Sequence, residues 1–230
     1  MIKFMNQGVT PLTKQEKAIQ YIEENKLEEA AKLFVEIIDD NPDDPVGYVN
    51  FGNLLLQMKQ FEEAERFFLK AIEIDDETAT AFFSLGNLYY DRSLFQEAEK
   101  MFQQTIRLGL EDSDVYFMLG MTYVKREYHQ LAVPFLQRAT ELKADIEKMF
   151  QYGLALAQTN YINEAETVFL QVLEKDHLHA DSLYNLGIIE VNRKNNEKAL
   201  EYFDKALFAQ PNHALAKNAK ENLATSNGER

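Results

Sequence analysis

The sequence predicts an all-α solenoid built from six helix-turn-helix repeats. Small residues recur along the 230-residue chain at nearly constant spacing, and each is followed twelve residues later by an alanine. The steps between successive small residues are 34, 34, 34, 33 and 34 residues. Self-similarity with a period of this length is typical of repeat architectures. The small residues are Ala18, Gly52, Gly86, Gly120, Gly153 and Gly187.

Each repeat is predicted to contain two short helices that cross closely. Helices approach closely only where a side chain is nearly absent, so the small residue belongs in the middle of the first helix and the alanine early in the second. A large apolar residue four positions after each alanine fills the surrounding space. One pair cannot bury its apolar face alone, so each pair stacks on the next. The alanines are Ala30, Ala64, Ala98, Ala132, Ala165 and Ala199, and the large residues are Phe34, Phe68, Phe102, Leu136, Phe169 and Phe203.

Together these positions resemble the tetratricopeptide repeat family over residues 11–213. The resemblance is specific because several positions agree in six consecutive units. It implies a right-handed α-α superhelix whose first helices form a concave, partner-binding groove. Residues 1–10 are set apart as an N-terminal extension, and the predicted repeats are 11–44, 45–78, 79–112, 113–145, 146–179 and 180–213.

Both ends of the repeat array are predicted to be capped. In the first repeat, Lys14 and Lys17 replace large apolar residues, as expected where no preceding helix needs covering. After Pro211, residues 214–224 have helical apolar spacing but lack a seventh core. We therefore expect a capping helix there, followed by a disordered tail at 225–230.

Three departures from the family pattern are expected to matter locally. The fourth repeat is one residue short, which predicts a perturbed stack near residues 141–146. Pro134 lies in the second helix of that repeat and removes a backbone hydrogen bond just beyond its first turn. The glycine that the family often places between paired helices is missing, so we expect these turns to be less sharply specified. The six residues in its place are Asn25, Lys59, Ser93, Glu127, Asn160 and Lys194.

The composition narrows the classes of partner. With 38 acidic and 24 basic residues, the chain has a formal net charge of −14. Nucleic-acid binding requires clustered Lys and Arg, which this sequence lacks, and anionic membranes are disfavoured for the same reason. A negative surface also serves solubility alone. We predict neither a membrane span nor an export signal, so the expected location is cytoplasmic.

No residue pattern indicates catalysis or a metal site. His177 and His179 share a turn without an evident third ligand. The chain has no cysteine, which excludes thiolate ligands and thiol catalysis. Carboxylate pairs such as Glu28 and Glu29 lie near helix starts, where they favour the helix dipole. We expect no enzyme, no metal and no cofactor.

Function is therefore expected on the groove side of the first helices. At the ninth position of the repeat, asparagine in the second and third units gives way to Met, Leu and Ile in the last three. Amides at this position suit an extended peptide backbone, whereas apolar residues suit an amphipathic helix or apolar side chains. The alternative is that these residues pack against one another as core. The predicted groove residues are Val49, Asn50, Asn53, Leu56, Phe83, Asn87, Tyr90, Phe117, Met121, Val124, Phe150, Leu154, Tyr184 and Ile188.

The predicted groove is consistent with two functions. The first is a non-catalytic adaptor that binds an apolar or basic peptide or helix of a partner protein in its groove. The second is a self-associating structural module, whose groove is filled by a neighbouring copy or by the segment Ile2–Met5. The family's clamp for chaperone carboxyl termini is not expected, because none of the positions that would supply its cations carries a basic residue. These positions hold Gln15, Val49, Thr80, Ser84, Asp114 and Met118.

Overall fold

The chain folds as α-helices throughout the part that the structure describes. The structure is a computed structural model that describes residues 12–228, with side chains described to Ala224. Within those residues there are thirteen helices and no strand, so the all-α prediction is confirmed. The helices are α1 Lys14–Glu23, α2 Leu27–Asp40, α3 Pro45–Gln57, α4 Phe61–Ile74, α5 Ala79–Asp91, α6 Phe95–Arg107, α7 Ser113–Lys125, α8 His129–Leu142, α9 Ile146–Gln158, α10 Ile162–Lys175, α11 Ala180–Asn192, α12 Asn196–Ala209 and α13 Ala214–Gly228.

The chain divides into two compact units. The N-terminal unit, Met1–Leu110, contains α1 to α6, and the C-terminal unit, Glu111–Arg230, contains α7 to α13. Inside each unit every odd-numbered helix packs on the even-numbered helix that follows it, and that helix packs on the next odd-numbered one. The repeating element is therefore an antiparallel helix pair.

Four of the six first helices begin after an acidic or hydroxyl side chain that accepts a backbone hydrogen bond. Thr13 caps α1 and forms a reciprocal capping box with Glu16, so α1 begins at Lys14 rather than at the predicted repeat start. Asp44, Asp112 and Asp145 cap α3, α7 and α9. From the second repeat onward, the first helices start at Pro45, Ala79, Ser113, Ile146 and Ala180.

The six turns between paired helices share one backbone conformation. Each contains a residue with φ between 58° and 67°, at Asn25, Lys59, Ser93, Glu127, Asn160 and Lys194. In the second repeat, the amides around Lys59 close the helix end: Lys59 N–H donates to Leu56 O at 2.9 Å and Gln60 N–H to Leu55 O at 2.9 Å. The expectation of loosely specified turns was wrong, because the helix end imposes this conformation without glycine.

The chain divides at a different place from the irregularity that the sequence predicted near residues 141–146. The short fourth repeat leaves a three-residue connection, Lys143 to Asp145, across which α8 still packs on α9. The chain instead divides after Leu110, next to Gly109, whose φ is 84°. Pro134 is exposed, and α8 continues through it to Leu142.

A small residue and a large apolar side chain close the crossing inside each pair. A Cβ added to Gly86 would lie 2.6 Å from Cε1 of Phe102, and one added to Gly52 would lie 2.5 Å from Cε1 of Phe68. The large residue is fully buried at this point in every repeat from the second onward. The predicted crossing therefore forms the core.

The last helix is longer than the sequence predicted. α13 extends to Gly228, so residues 225–228, predicted to be a disordered tail, are helical. Ala216 and Leu223 are buried against α12 and α11. Glu221 is exposed and occupies the position that is Gly or Ala in the first helices of all six repeats.

Candidate functional site

The predicted groove residues of the N-terminal unit differ in exposure. Val49 is only 4% exposed and belongs to the core, whereas Asn53 is exposed. The ring of Phe83 lies 5.9 Å from that of Phe102, so it rests on the large residue of its own repeat. Asn87 is partly buried, and its Oδ1 has no hydrogen-bond partner. The others, Asn50, Leu56 and Tyr90, are partly buried.

In the C-terminal unit, the predicted groove residues form a mostly half-buried series. Phe150 is the exception, because this residue is only 9% exposed and belongs to the core. The first helices α7, α9 and α11 carry the remaining ones. These half-buried residues are Phe117, Met121, Val124, Leu154, Tyr184 and Ile188.

In the fifth and sixth repeats, the ring at the fifth position contacts both the large residue of its own repeat and the histidine just before the next odd-numbered helix. The ring of Phe150 lies 5.9 Å from Phe169 and 4.9 Å from His179. Tyr184 is placed in the same way, 6.0 Å from Phe203 and 5.4 Å from His213. Part of each of these two rings is therefore core, while the ninth-position side chains Leu154 and Ile188 are partly buried.

Lys148 is the centre of a buried charge cluster beside Phe117 in the C-terminal unit. Its side chain is 7% exposed, and Nζ lies 2.8 Å from Asp114 Oδ1, 2.6 Å from Asp145 Oδ2 and 5.7 Å from the ring centre of Phe117. Burial opposes the charge on Lys148, but its hydrogen bonds to the two carboxylates outweigh burial and raise its pKa. Burial likewise opposes the charge of Asp145, and its bonds with Lys148 outweigh this and lower the pKa of Asp145. The cluster joins α7 to α9.

Two histidines serve as helix caps. His179 Nδ1 accepts the amide of Ser182 at 3.2 Å at the start of α11. His213 Nδ1 accepts the amide of Ala216 at 3.0 Å, so in the neutral ring Nε2 carries the hydrogen that it donates to Asp181 Oδ1 at 3.0 Å. Among the described residues, no group of three or more His, Cys, Asp or Glu side chains could hold a metal ion.

Glu190 is a second buried charge that the sequence did not reveal. Its side chain is 3% exposed and accepts hydrogen bonds from Lys198 at 2.8 Å, Asn195 at 3.0 Å and Arg193 at 3.3 Å. The bond from Lys198 is the largest cause of the lowered pKa of Glu190. Arg193 also pairs with Glu166 at 2.6 Å, so the network ties α10, α11 and α12 together. This role is structural.

The last helix forms a pocket with α11 rather than only covering the end of the repeats. A pocket of about 420 Å³ lies between α11 and α13. Two predicted groove residues line it, together with two asparagines at the fifth and ninth positions of α13. The lining residues are Tyr184, Ile188, Val191, Leu215, Asn218, Ala219, Asn222 and Leu223.

Comparison with known proteins identifies the family. Two tetratricopeptide repeat models match the chain, one over residues 46–111 and the other over residues 83–145 and 151–214. The chain belongs to the tetratricopeptide repeat family. Repeats of this family generally mediate protein–protein interactions. No curated protein matches the chain.

Solved structures of the family include one with substantial sequence identity. YrrB, described as a tetratricopeptide repeat protein with an unusual peptide-binding site, is 43% identical, and the match covers 83% of this chain and 99% of YrrB with a TM-score of 0.78. PilF of Pseudomonas aeruginosa is 14% identical over 91% of this chain and 96% of its own, with a TM-score of 0.77. MamA is 21% identical over 71% of this chain and 96% of its own, with a TM-score of 0.66. At such low identity PilF and MamA support the fold alone.

Among the residues that the structure describes, no helix combines the length and apolar character needed to cross a bilayer.

Proposed function

We propose that this chain is a non-catalytic protein-interaction module that binds a segment of a partner protein on its C-terminal unit. The binding surface is a set of five side chains on the first helices, which we call the apolar strip. The observation that carries the proposal is that these side chains remain only partly buried although they lie on consecutive first helices. The apolar strip consists of Phe117, Met121, Leu154, Tyr184 and Ile188.

Physical reasoning and the similarity to YrrB support this assignment. Apolar surface that a fold leaves uncovered often marks a protein-binding site, and anchors of this kind supply much of the binding free energy. YrrB is 43% identical and is described as having a peptide-binding site.

The experiment compares partner capture by matched variants. Met121→Gln combined with Ile188→Gln removes two ninth-position contacts of the apolar strip. Leu131→Gln combined with Leu170→Gln removes two exposed leucines elsewhere in the C-terminal unit and serves as the control. Proteins captured from the native lysate by the unchanged chain should be retained by the control and lost by the strip variant, with both variants showing the helical circular dichroism of the parent. Identical capture by all three proteins would place binding elsewhere.

Self-association is a second candidate function because one large apolar side chain is almost fully exposed. Phe208 on α12 is 80% exposed. Equivalent positions of the other five repeats carry charged side chains, namely Asp39, Glu73, Arg107, Glu141 and Glu174. The segment Ile2–Met5, which the sequence offered as another route to self-association, lies outside the described residues. Analytical ultracentrifugation over a concentration series tests this candidate: a dimer that Phe208→Glu dissociates would support it, and a monomer at all concentrations would exclude it.

A further inference from the structure

The apolar strip is flanked on one side by carboxylates. Asp114, Glu147 and Asp181 occupy the second position of α7, α9 and α11, and we call this series the acidic edge. All three are exposed, with side-chain exposures of 61% for Asp114 and 56% for Asp181. Lys148 is the lysine paired with this edge, but it is buried and shared between Asp114 and Asp145. The edge therefore presents net negative charge to solvent.

The opposite side of the strip has a different charge. The thirteenth positions of the same helices carry Lys125, Gln158 and Asn192, all exposed. This flank has one cation and two neutral amides. A ligand on the strip thus meets negative charge on one flank only, which favours cationic side chains along that flank.

The strip offers little to an extended peptide backbone. Its ninth-position residues are Met121, Leu154 and Ile188, which have no amide or hydroxyl group. At the neighbouring sixth position, Gln151 Nε2 donates to Glu147 at 2.9 Å and Asn185 Nδ2 donates to the Asp181 carbonyl at 2.8 Å. An extended ligand would find few partners there for its N–H and C=O groups, whereas a helix satisfies its own.

The strip ends at side chains that suit a helix terminus. On α13, Asn218 and Asn222 line the pocket beside Tyr184 and Ile188. The terminal turn of a helix has N–H or C=O groups without an intrahelical partner, and an amide side chain can donate to or accept from either kind. A docked helix whose terminus reaches this pocket would therefore find amide partners for such groups at Asn218 and Asn222.

From these observations we infer that the ligand of the apolar strip is an amphipathic helix with basic side chains on one flank, which lie along the acidic edge. This inference rests on the proposed function and adds the conformation and charge of the ligand. The helix packs its apolar face on Met121, Leu154 and Ile188, and its terminus reaches the pocket at α13.

Binding of three synthetic peptides to the full chain tests both parts of the inference. The first is a helix of about 18 residues with leucine at i, i+3, i+4 and i+7 and lysine along one flank. The second replaces each lysine by glutamate, and the third replaces two internal residues by proline, which prevents the helix. In fluorescence anisotropy at low salt, the lysine helix should bind at least about tenfold more tightly than either of the others.

Matched variants of the chain locate the contact. Glu147→Gln should weaken binding of the lysine helix roughly two- to fivefold, the range expected for an exposed ion pair. Glu164→Gln removes an exposed carboxylate in the first turn of the second helix α10, away from the acidic edge, and should leave the affinity unchanged. Leu154→Gln should weaken binding, and Leu170→Gln should not.

Each contrary outcome overturns a defined part of the inference. If the proline peptide binds as tightly as the lysine helix, and Leu154→Gln abolishes that binding, a helical ligand is excluded but the proposed function still stands. Equal binding of the glutamate helix would exclude the role of the acidic edge. A lysine helix that does not bind overturns the inference, and one that binds Leu154→Gln as tightly as the unchanged chain overturns both the inference and the proposed function.

Discussion

Six residues other than glycine adopt a left-handed backbone conformation at the turns between paired helices. In this region the Cβ atom costs roughly 1–2 kcal/mol, although asparagine tolerates it better than most residues. Lys59 and Glu127 bear this cost with φ values of 60° and 62°. The helix-end hydrogen bonds and the packing of the two helices hold them there.

Glycine at such a turn should stabilise the protein. Lys59→Gly and Glu127→Gly should each raise the free energy of unfolding by roughly 0.5–1 kcal/mol, because relief of the Cβ strain exceeds the added chain entropy of the unfolded state. Urea denaturation measures the change. Lys59→Ala, which retains a Cβ, is the control. A glycine variant that unfolds at a lower urea concentration than this control would show that the turn is not strained.

The ion pair between Asp145 and Lys148 should make stability depend on pH. The pKa of Asp145 is lowered in the folded state, so its contribution is complete above the ordinary carboxyl range and is lost as the pH falls through the lowered value. Asp145→Asn keeps a helix cap and should cost about 1 kcal/mol at pH 7. That difference should shrink as the pH falls from about 4 towards 2, as followed by urea unfolding. A constant difference would contradict the pairing, and Glu201→Gln on α12 is the control.

At the scale of the elements, the crossing of two helices depends on a missing side chain. The distance of 2.6 Å between Phe102 and a Cβ added to Gly86 leaves no room for a methyl group. Gly47 lies in a first helix too, but a Cβ there would be 3.3 Å from Ile38 Cγ1, a contact that a flexible side chain can relieve. The two glycines therefore differ in whether the surrounding side chains can accommodate an added methyl group.

Alanine substitution distinguishes these glycines. Gly86→Ala should lower the free energy of unfolding by roughly 1–3 kcal/mol, because the ring of Phe102 has to move within a packed core. Gly47→Ala should be neutral or stabilising by up to about 1 kcal/mol, since alanine is the better helix former. Thermal melting of both variants measures the contrast, and equal effects would mean that the crossing at Gly86 is not close.

Sequence periodicity predicted the helix pairs well because one spacing encodes both the crossing and the core. It failed for Lys148 and Glu190, since a charged residue is normally assigned to the surface and its burial depends on partners such as Asp114 that are distant in the sequence. It also placed Val49 and Phe150 in the groove. Helical projection gives the direction of a side chain but not how far the neighbouring helix covers it.

At the scale of the whole molecule, contacts in a repeat array connect near neighbours. The stability of such a chain is approximately a sum of repeat terms and neighbour terms. The N-terminal and C-terminal units each have their own set of internal contacts. A local defect should therefore remain local.

Hydrogen exchange measured by mass spectrometry tests this locality. In Gly86→Ala, amides of α5 and α6 should exchange faster than in the unchanged chain, while those of α11 and α12 should keep their rates. Gly187→Ala is the reciprocal variant and should reverse the pattern. A uniform increase along the chain would indicate one cooperative unit instead.

The carboxylate at Glu221 constrains how a longer relative of this protein could arise. A second helix of the usual kind cannot close on α13, because its large residue needs glycine or alanine where Glu221 stands. Tandem duplication of DNA that adds a repeat must therefore copy a segment upstream of Ala214. The helix that corresponds to α13 would then remain the last helix of the longer array.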